Sequence, residues 1–206
     1  MFRAAKLLIA GVTLVSSIIA PPAQAAWFGY PKALKSQFER IGFQMPAVAP
    51  FAYTHFCLRY ANDCRVHGRA FRKPHAIELT QARMGELTEV NHAVNRAITP
   101  QAYIARTSFD TWRIGPTQGD CNDFAVTKRH ELLARGWPSR ALLLAEVITS
   151  WGEHHLILVV RTANRDVVLD SLNYSVRDWA QTSYQWVRIQ SPSNPEIWST
   201  VQSVVA

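Results

Sequence analysis

Glycine and proline are scarce, 9 and 11 of 206 residues, while apolar residues make up 48%. Such a chain can bury enough apolar surface to offset the entropy lost on folding, which excludes collagen-like, low-complexity and disordered organisations. Cysteine is scarcer still, and three residues cannot build a disulfide-dense scaffold or a four-thiolate zinc site. After residue 20 no apolar run approaches the roughly 20 residues that a membrane-crossing helix needs. The length suits one domain whose core needs neither several disulfides nor a structural metal.

What is present starts at the N-terminus. Met1-Phe2-Arg3-Ala4-Ala5-Lys6 is followed by an apolar stretch from Leu7 to Ala20 and then by Pro21-Pro22-Ala23-Gln24-Ala25-Ala26. A basic start, an apolar segment too short to cross a bilayer and an Ala-x-Ala motif predict a signal peptide, residues 1–25, cleaved after Ala25. The expectation is an exported, periplasmic protein whose residues 26–206 form a single domain with no stable membrane insertion. Without Arg3 and Lys6 the basic residues fall from 22 to 20 against 15 acidic ones, a net charge of +5. Arg65, Arg69, Arg72, Lys73, Lys128 and Arg129 are scattered, with no aromatic-interleaved motif for nucleic acid. They read as a solvated basic surface, and no nucleic-acid partner is expected.

From Ala26 to about Pro50 aromatics and prolines suggest an irregular arm. Leu87, Val90, Val94 and Ile98 recur at spacings of three and four and predict a helix over Glu78–Ile98, with Asn91 and Asn95 on its apolar side bonding a neighbouring segment. A turn-rich stretch from Asp110 to Gly119 leads to a second helix over Cys121–Arg135, stopped by Gly136 and Pro138. Arg140–Thr149, His155–Val160 and Asp166–Asp170 are apolar runs of strand length, and Tyr184–Ile189 alternates. Helices first and adjacent strands afterwards predict an α+β domain with an antiparallel or mixed sheet.

Cys57 and Cys64 are seven positions apart across the turn signal Asn62-Asp63, which predicts a local disulfide in an oxidising compartment. Cys121 is left without a partner. It follows Gly119-Asp120 at the first turn of a helix, where unpaired N–H groups and the helix dipole favour a thiolate and can cradle an oxyanion. Asp120 is the expected N-cap, and Cys121 shares a helix side with Phe124, Ala125 and Leu132, the side that should face the sheet.

A thiol nucleophile needs a base, usually His, which in turn needs an acceptor. Of seven histidines, His154 and His155 open an apolar strand. A hairpin with Arg161–Asn164 as its loop sets Val160 opposite Arg165, which places His155 directly opposite Asp170 and turns His154 to the other face. The alternative for the pair taken alone, a surface cross-strand ion pair, is the lesser one.

The segments Gly119-Asp120-Cys121-Asn122-Asp123-Phe124-Ala125, Lys128, Leu132, Gly136, His155-Leu156-Ile157-Leu158-Val159 and Val168-Leu169-Asp170-Ser171-Leu172-Asn173 resemble the bacterial transglutaminase-like cysteine proteinases. Phe109-Asp110-Thr111-Trp112 and the helix bearing Asn91 and Asn95 extend the resemblance over roughly Leu87–Asn173. It implies a papain-like, transglutaminase-core fold, with the nucleophile-bearing helix packed on an antiparallel sheet, and a triad of Cys121, His155 and Asp170. It further implies periplasmic cleavage of a surface adhesin and sequestration by an inner-membrane receptor that senses a cyclic dinucleotide. Members of this kind bind calcium through acidic residues in a Gly-Asp-Cys-Glu-Asp pattern. Here Asp120 and Asp123 match as metal ligands, but Asn122 replaces the Glu and removes a charge, so weak or absent calcium dependence is expected. The alternative for both aspartates is helix capping alone.

The leading expectation is thus a cysteine endopeptidase acting on a protein or peptide substrate, with no required cofactor. A transglutaminase or amidase with the same triad, and a non-catalytic peptide-binding module, are the alternatives. Amine incorporation into a Gln-bearing peptide separates the first from hydrolysis, and absence of any turnover identifies the second.

Overall fold

The apolar runs after residue 140 form the middle of a seven-stranded sheet in the computed structural model, which describes residues 40–66, 77–101 and 111–201. The signal-peptide segment, the first part of the expected arm, Arg69, Arg72, Lys73, Phe109 and Asp110 lie outside the described residues. The strands are β1 (Phe43–Ala47), β2 (Thr99–Pro100), β3 (Gln118–Gly119), β4 (Leu142–Ile148), β5 (His154–Arg161), β6 (Asp166–Leu169), β7 (Arg177–Asp178), β8 (Gln185–Gln190) and β9 (Trp198–Val201). Their order in the sheet is β1-β9-β8-β4-β5-β6-β7, with every neighbouring pair antiparallel. β2 and β3 form a separate short parallel pair. Among the described residues the helices are α1 (Phe51–Arg59), α2 (Gln81–Ala97) and α3 (Cys121–Ala134), and none of these is long and apolar enough to cross a membrane. The protein is therefore an α+β domain with the Cys121 helix on an antiparallel sheet.

β4 and β5 are apolar at nearly every position because both faces of the sheet are covered. On one face Leu142, Leu144, Leu156, Leu158 and Val160 pack with Leu87, Val90 and Val94 of α2 and with Phe124, Ala125 and Leu132 of α3. On the other, Leu143, Ala145, Val147, Ile157 and Val159 pack with Trp179, Trp186 and Ile189. Alternate strand residues thus feed two separate cores.

Two expectations need correcting. The stretch before Pro50 is not all irregular: Phe43–Ala47 is an edge strand on β9, with a register shift between Phe43 and Pro46. An edge is where a strand tolerates Pro46, which has no N–H to give to a ladder. Lys128 and Arg129 are not on a solvated basic surface but 0% and 1% exposed. Arg129 is buried because it is used: Nε donates to the Leu142 carbonyl and Nη1 to the Asp63 carbonyl.

Asp63 depends on the disulfide. Cys57, near the end of α1, is bonded to Cys64, the last residue of the short 3-10 turn Ala61–Cys64, with Cα atoms 5.6 Å apart. The turn delivers the Asp63 carboxylate to His130 Nδ1 at 3.0 Å, so the predicted staple fixes α3 from the side opposite its nucleophile end.

Candidate active site

The N-terminus of α3 is built as its sequence dictates. Asp120 is extended and caps the helix, its Oδ1 accepting from the Asn122 N–H at 2.9 Å and the Asp123 N–H at 3.4 Å. This leaves the N–H of Cys121 as the first-turn donor that Asp120 does not engage. Asp123 is buried and turned back toward Arg113, whose N–H donates to Oδ1 at 2.7 Å and whose guanidinium donates to Oδ2 at 2.9 Å. Gly119 is required for this packing, since a Cβ there would lie 2.6 Å from Asp123 Oδ2. At the other end Gly136 takes φ +87°, its N–H donating to Leu133 and that of Trp137 to Leu132, which closes the helix as a Schellman motif.

Cys121 is the free cysteine. The Leu156 and Asn122 N–H groups point at its sulfur. β6 pairs with β5 only from Leu158 onward, so the described β5–β6 ladder does not extend to His155 to Ile157. The sulfur thus lies beside the peptide that joins His155 to Leu156. Burial, reinforced by Asp120 and Glu153, pushes the thiol up to about 12 against these two donors. Burial thus works against the thiolate that the helix N-terminus favours, and a proton acceptor beside the sulfur would assist its ionisation.

His155 and Asp170 are in contact as expected, with Nε2 to Oδ1 2.7 Å and both residues buried. The register that brings them together differs from the expected one. Val160 pairs with Val167 and Arg161 with Asp166, because Thr162 bonds Arg165 across the turn and shortens the loop. The hairpin is shifted by two residues, so His155 and Asp170 are not directly opposed. Asp170 lies one residue beyond β6, whose last pair is Leu169 with Leu158, and it meets His155 diagonally. An even shift preserves the faces, which is why the contact survives. His154 points the other way, is exposed and bonds Glu146 Oε1 at 2.7 Å.

Asp170 is held from every side. Besides His155, Oδ1 accepts the Leu172 N–H at 3.0 Å, Oδ2 accepts the Tyr184 hydroxyl at 2.5 Å, and its backbone carbonyl accepts Asn95 Nδ2 at 2.9 Å. Asn91 Nδ2 holds the following loop at the Asn173 and Tyr174 carbonyls, so both α2 amides do what the apolar-side reading predicted. Burial alone would raise the Asp170 carboxyl, but His155, Tyr184 and the Leu172 N–H together hold it below the ordinary range. It is therefore a carboxylate at neutral pH and can only accept, so the proton in the bond to His155 sits on Nε2. In neutral His155, Nδ1 then carries the free lone pair. Among the described residues no hydrogen bond joins Nδ1 to Cys121, whose donors are the two backbone N–H groups.

Three site residues escaped sequence reasoning. Tyr184 is one residue before β8 and 14 beyond Asp170, a contact with no local signal. Arg113 lies in a turn-rich stretch. Lys128, two turns below Cys121 on the same helix face, was signalled by that spacing; its Nζ is buried with no hydrogen-bond partner among the described residues, 5.8 Å from the Phe124 ring centre. Burial pushes it down to about 7, against the charge of Asp170.

The sequence profile of the bacterial transglutaminase-like cysteine proteinase family matches residues 44–205, a span that includes Cys121, His155 and Asp170. No curated protein is significantly similar to the chain. Among solved structures, Legionella pneumophila LapG is similar with TM-score 0.48 and 23% identity, over 58% of this chain and 69% of that one. Its calcium-bound form gives TM-score 0.48 and 24% identity over 59% and 72% of the two chains, and its EGTA-treated form 0.47 and 22% over 58% and 70%.

Proposed function

The chain belongs to the bacterial transglutaminase-like cysteine proteinases, and on that premise we propose that it is an exported endopeptidase whose catalytic triad is Cys121, His155 and Asp170. The observation that carries this reading is the buried His155–Asp170 bond of 2.7 Å on the strand whose next residue, Leu156, directs its N–H to the free Cys121 thiol at a helix start. In the proposed reaction His155 Nδ1 takes the proton from Sγ as substrate binding brings the two together, and the sulfur attacks the scissile carbonyl carbon. The Cys121 N–H stabilises the oxyanion. Nδ1–H then protonates the leaving amine as the C–N bond breaks, and a water deprotonated by the same nitrogen hydrolyses the thioester. Asp170 keeps the imidazole in its Nε2–H tautomer and offsets the imidazolium charge.

Export to the periplasm rests on the signal-peptide pattern at residues 1–25, and a surface or periplasmic protein such as an adhesin is the proposed substrate. A regulatory inner-membrane receptor belongs to the same proposal. Calcium is bound in one form of LapG, but the corresponding residues here do not fit it. Asp120 Oδ1 is taken by two backbone N–H groups, and Arg113 engages both oxygens of Asp123 while its Nη2 also bonds the Gln118 carbonyl at 3.1 Å. The Arg113 guanidinium thus already supplies a positive charge to the Asp123 carboxylate. Among the described residues no group of three or more His, Cys, Asp or Glu gathers to hold a metal ion. We propose that the reaction needs none.

The test compares surface and periplasmic protein fragments from cells carrying wild type, Cys121→Ala, His155→Ala or His154→Ala. Cys121→Ala and His155→Ala should abolish cleavage and labelling by a thiol-reactive peptide probe, while His154→Ala keeps both. Undiminished cleavage by Cys121→Ala overturns the reading, and incorporation of an amine in place of hydrolysis replaces it with a transglutaminase.

A further inference from the structure

Asp170 is the one carboxylate of the site whose two oxygens are both bonded to ionisable side chains. Oδ1 receives His155 Nε2 and Oδ2 the Tyr184 hydroxyl, and the residue is 4% exposed. Tyr184 also packs its ring on the imidazole, with ring centres 5.8 Å apart. We infer that Tyr184 is a positioning residue: its hydroxyl fixes the Asp170 carboxylate against His155 and keeps it ionised, and so sets the acid limit of Cys121 reactivity.

The argument rests on the proposed triad and on hydrogen-bond chemistry. A phenol can donate to a carboxylate but gives a protonated carboxyl much less, so its bond favours the charged form. Without it Oδ2 would be buried with no side-chain donor, and Asp170 would take up a proton at higher pH. Once protonated, Asp170 no longer offsets an imidazolium, and the transfer from Cys121 to His155 becomes less favourable. The other groups facing Asp170 do not substitute. Lys128 on α3 acts through its charge without a hydrogen bond among the described residues, Cys121 on the same helix carries no positive charge, and Asn95 on α2 bonds only the backbone carbonyl. Arg177 on β7 lines, with Asp170 and Tyr184, a cavity of about 40 Å³, room enough for a water. A water entering there can replace part of the lost bond, which limits the expected effect to about one pH unit.

Alkylation of Cys121 by iodoacetamide reads this without knowledge of the substrate, since the other two cysteines are bonded to each other. Rates are measured under non-reducing conditions from about pH 2.5 to about pH 9 for wild type, Tyr184→Phe, Tyr184→Leu and Asp170→Asn. Tyr184→Phe keeps the ring and removes only the hydroxyl. Its rate should stay within about twofold of wild type near pH 8, while its acid limb moves up by about one unit, a loss of about tenfold on that limb. Tyr184→Leu should show the same shift plus a loss at every pH, because the ring contact with His155 goes too. A Tyr184→Phe profile that superimposes on wild type, or that falls equally at all pH, overturns the inference. If that happens while Asp170→Asn still changes the profile, the triad stands; if Asp170→Asn also matches wild type, the triad reading falls with it.

Discussion

Lys128 offers a stability measurement whose size and sign follow from its surroundings. Its ammonium is fully buried, makes no hydrogen bond among the described residues and is pushed from 10.5 down to about 7 by desolvation. In the unfolded chain the same lysine keeps its proton up to about pH 10.4. Between those values the unfolded state binds more protons, so unfolding free energy rises with pH, by about 1.4 kcal/mol per unit. Below about pH 7 both states are protonated and the slope vanishes. Lys128→Met fills a similar volume with no charge and removes this contribution. It should therefore be the more stable protein near neutrality, with its advantage shrinking by about 3 kcal/mol between about pH 7 and about pH 9.5. With a urea slope of about 2 kcal/mol per molar, the gap between the two unfolding midpoints should close by about 1.5 M. Other groups that titrate in this window are common to both proteins and cancel in the difference. A difference that stays constant within about 0.5 kcal/mol across the window would falsify the claim of an unpartnered buried ammonium.

The remaining predictions concern the frame around the thiol. Removing the Cys57–Cys64 bond, by double substitution to Ala or by reduction, should cost about 2.5 kcal/mol in urea unfolding, since the closed loop is short; no change would show that Asp63 holds α3 without its staple. Gly119→Ala drives a Cβ into Asp123, a contact of 2.6 Å with Oδ2, and should lower stability by about 1–3 kcal/mol. A melting temperature equal to wild type refutes the close packing of Asp123 under Gly119. Calorimetric titration of the protein with calcium should show no low-micromolar binding, because Arg113 already supplies the positive charge at Asp123. Tight binding that Asp120→Ala abolishes contradicts that assignment.

The site was legible in the sequence where physics is local. Asp120 before Cys121 is a cap, Gly136 is a stop, and the strand alternation at His154-His155 assigns one ring to each face. The cysteine pairing followed from spacing and compartment in the same way. Distant or competing effects were not legible. The hairpin turn was set by Thr162, whose side chain and N–H both bond Arg165; a hydroxyl that can close a tighter loop outcompeted the loop chosen from apolar ends. The error was two residues, and because side chains alternate with period two, it moved Asp170 along the strand without turning it away from His155. A one-residue error would have put the carboxylate on the far side of the sheet. Tyr184 reaches Asp170 through sheet order, across a strand that begins after it, and no short-range pattern encodes that. Lys128 is the opposite case: its place on the stripe of Cys121, Phe124, Ala125 and Leu132 was readable, but a lysine's charge argues for solvent. Tertiary packing overrode that preference, leaving a cation without a hydrogen-bond partner whose charge acts on Asp170. Its cost in stability is the quantity that the pH series on Lys128→Met measures, so the residue least predictable from composition is the one whose energetics are most directly testable.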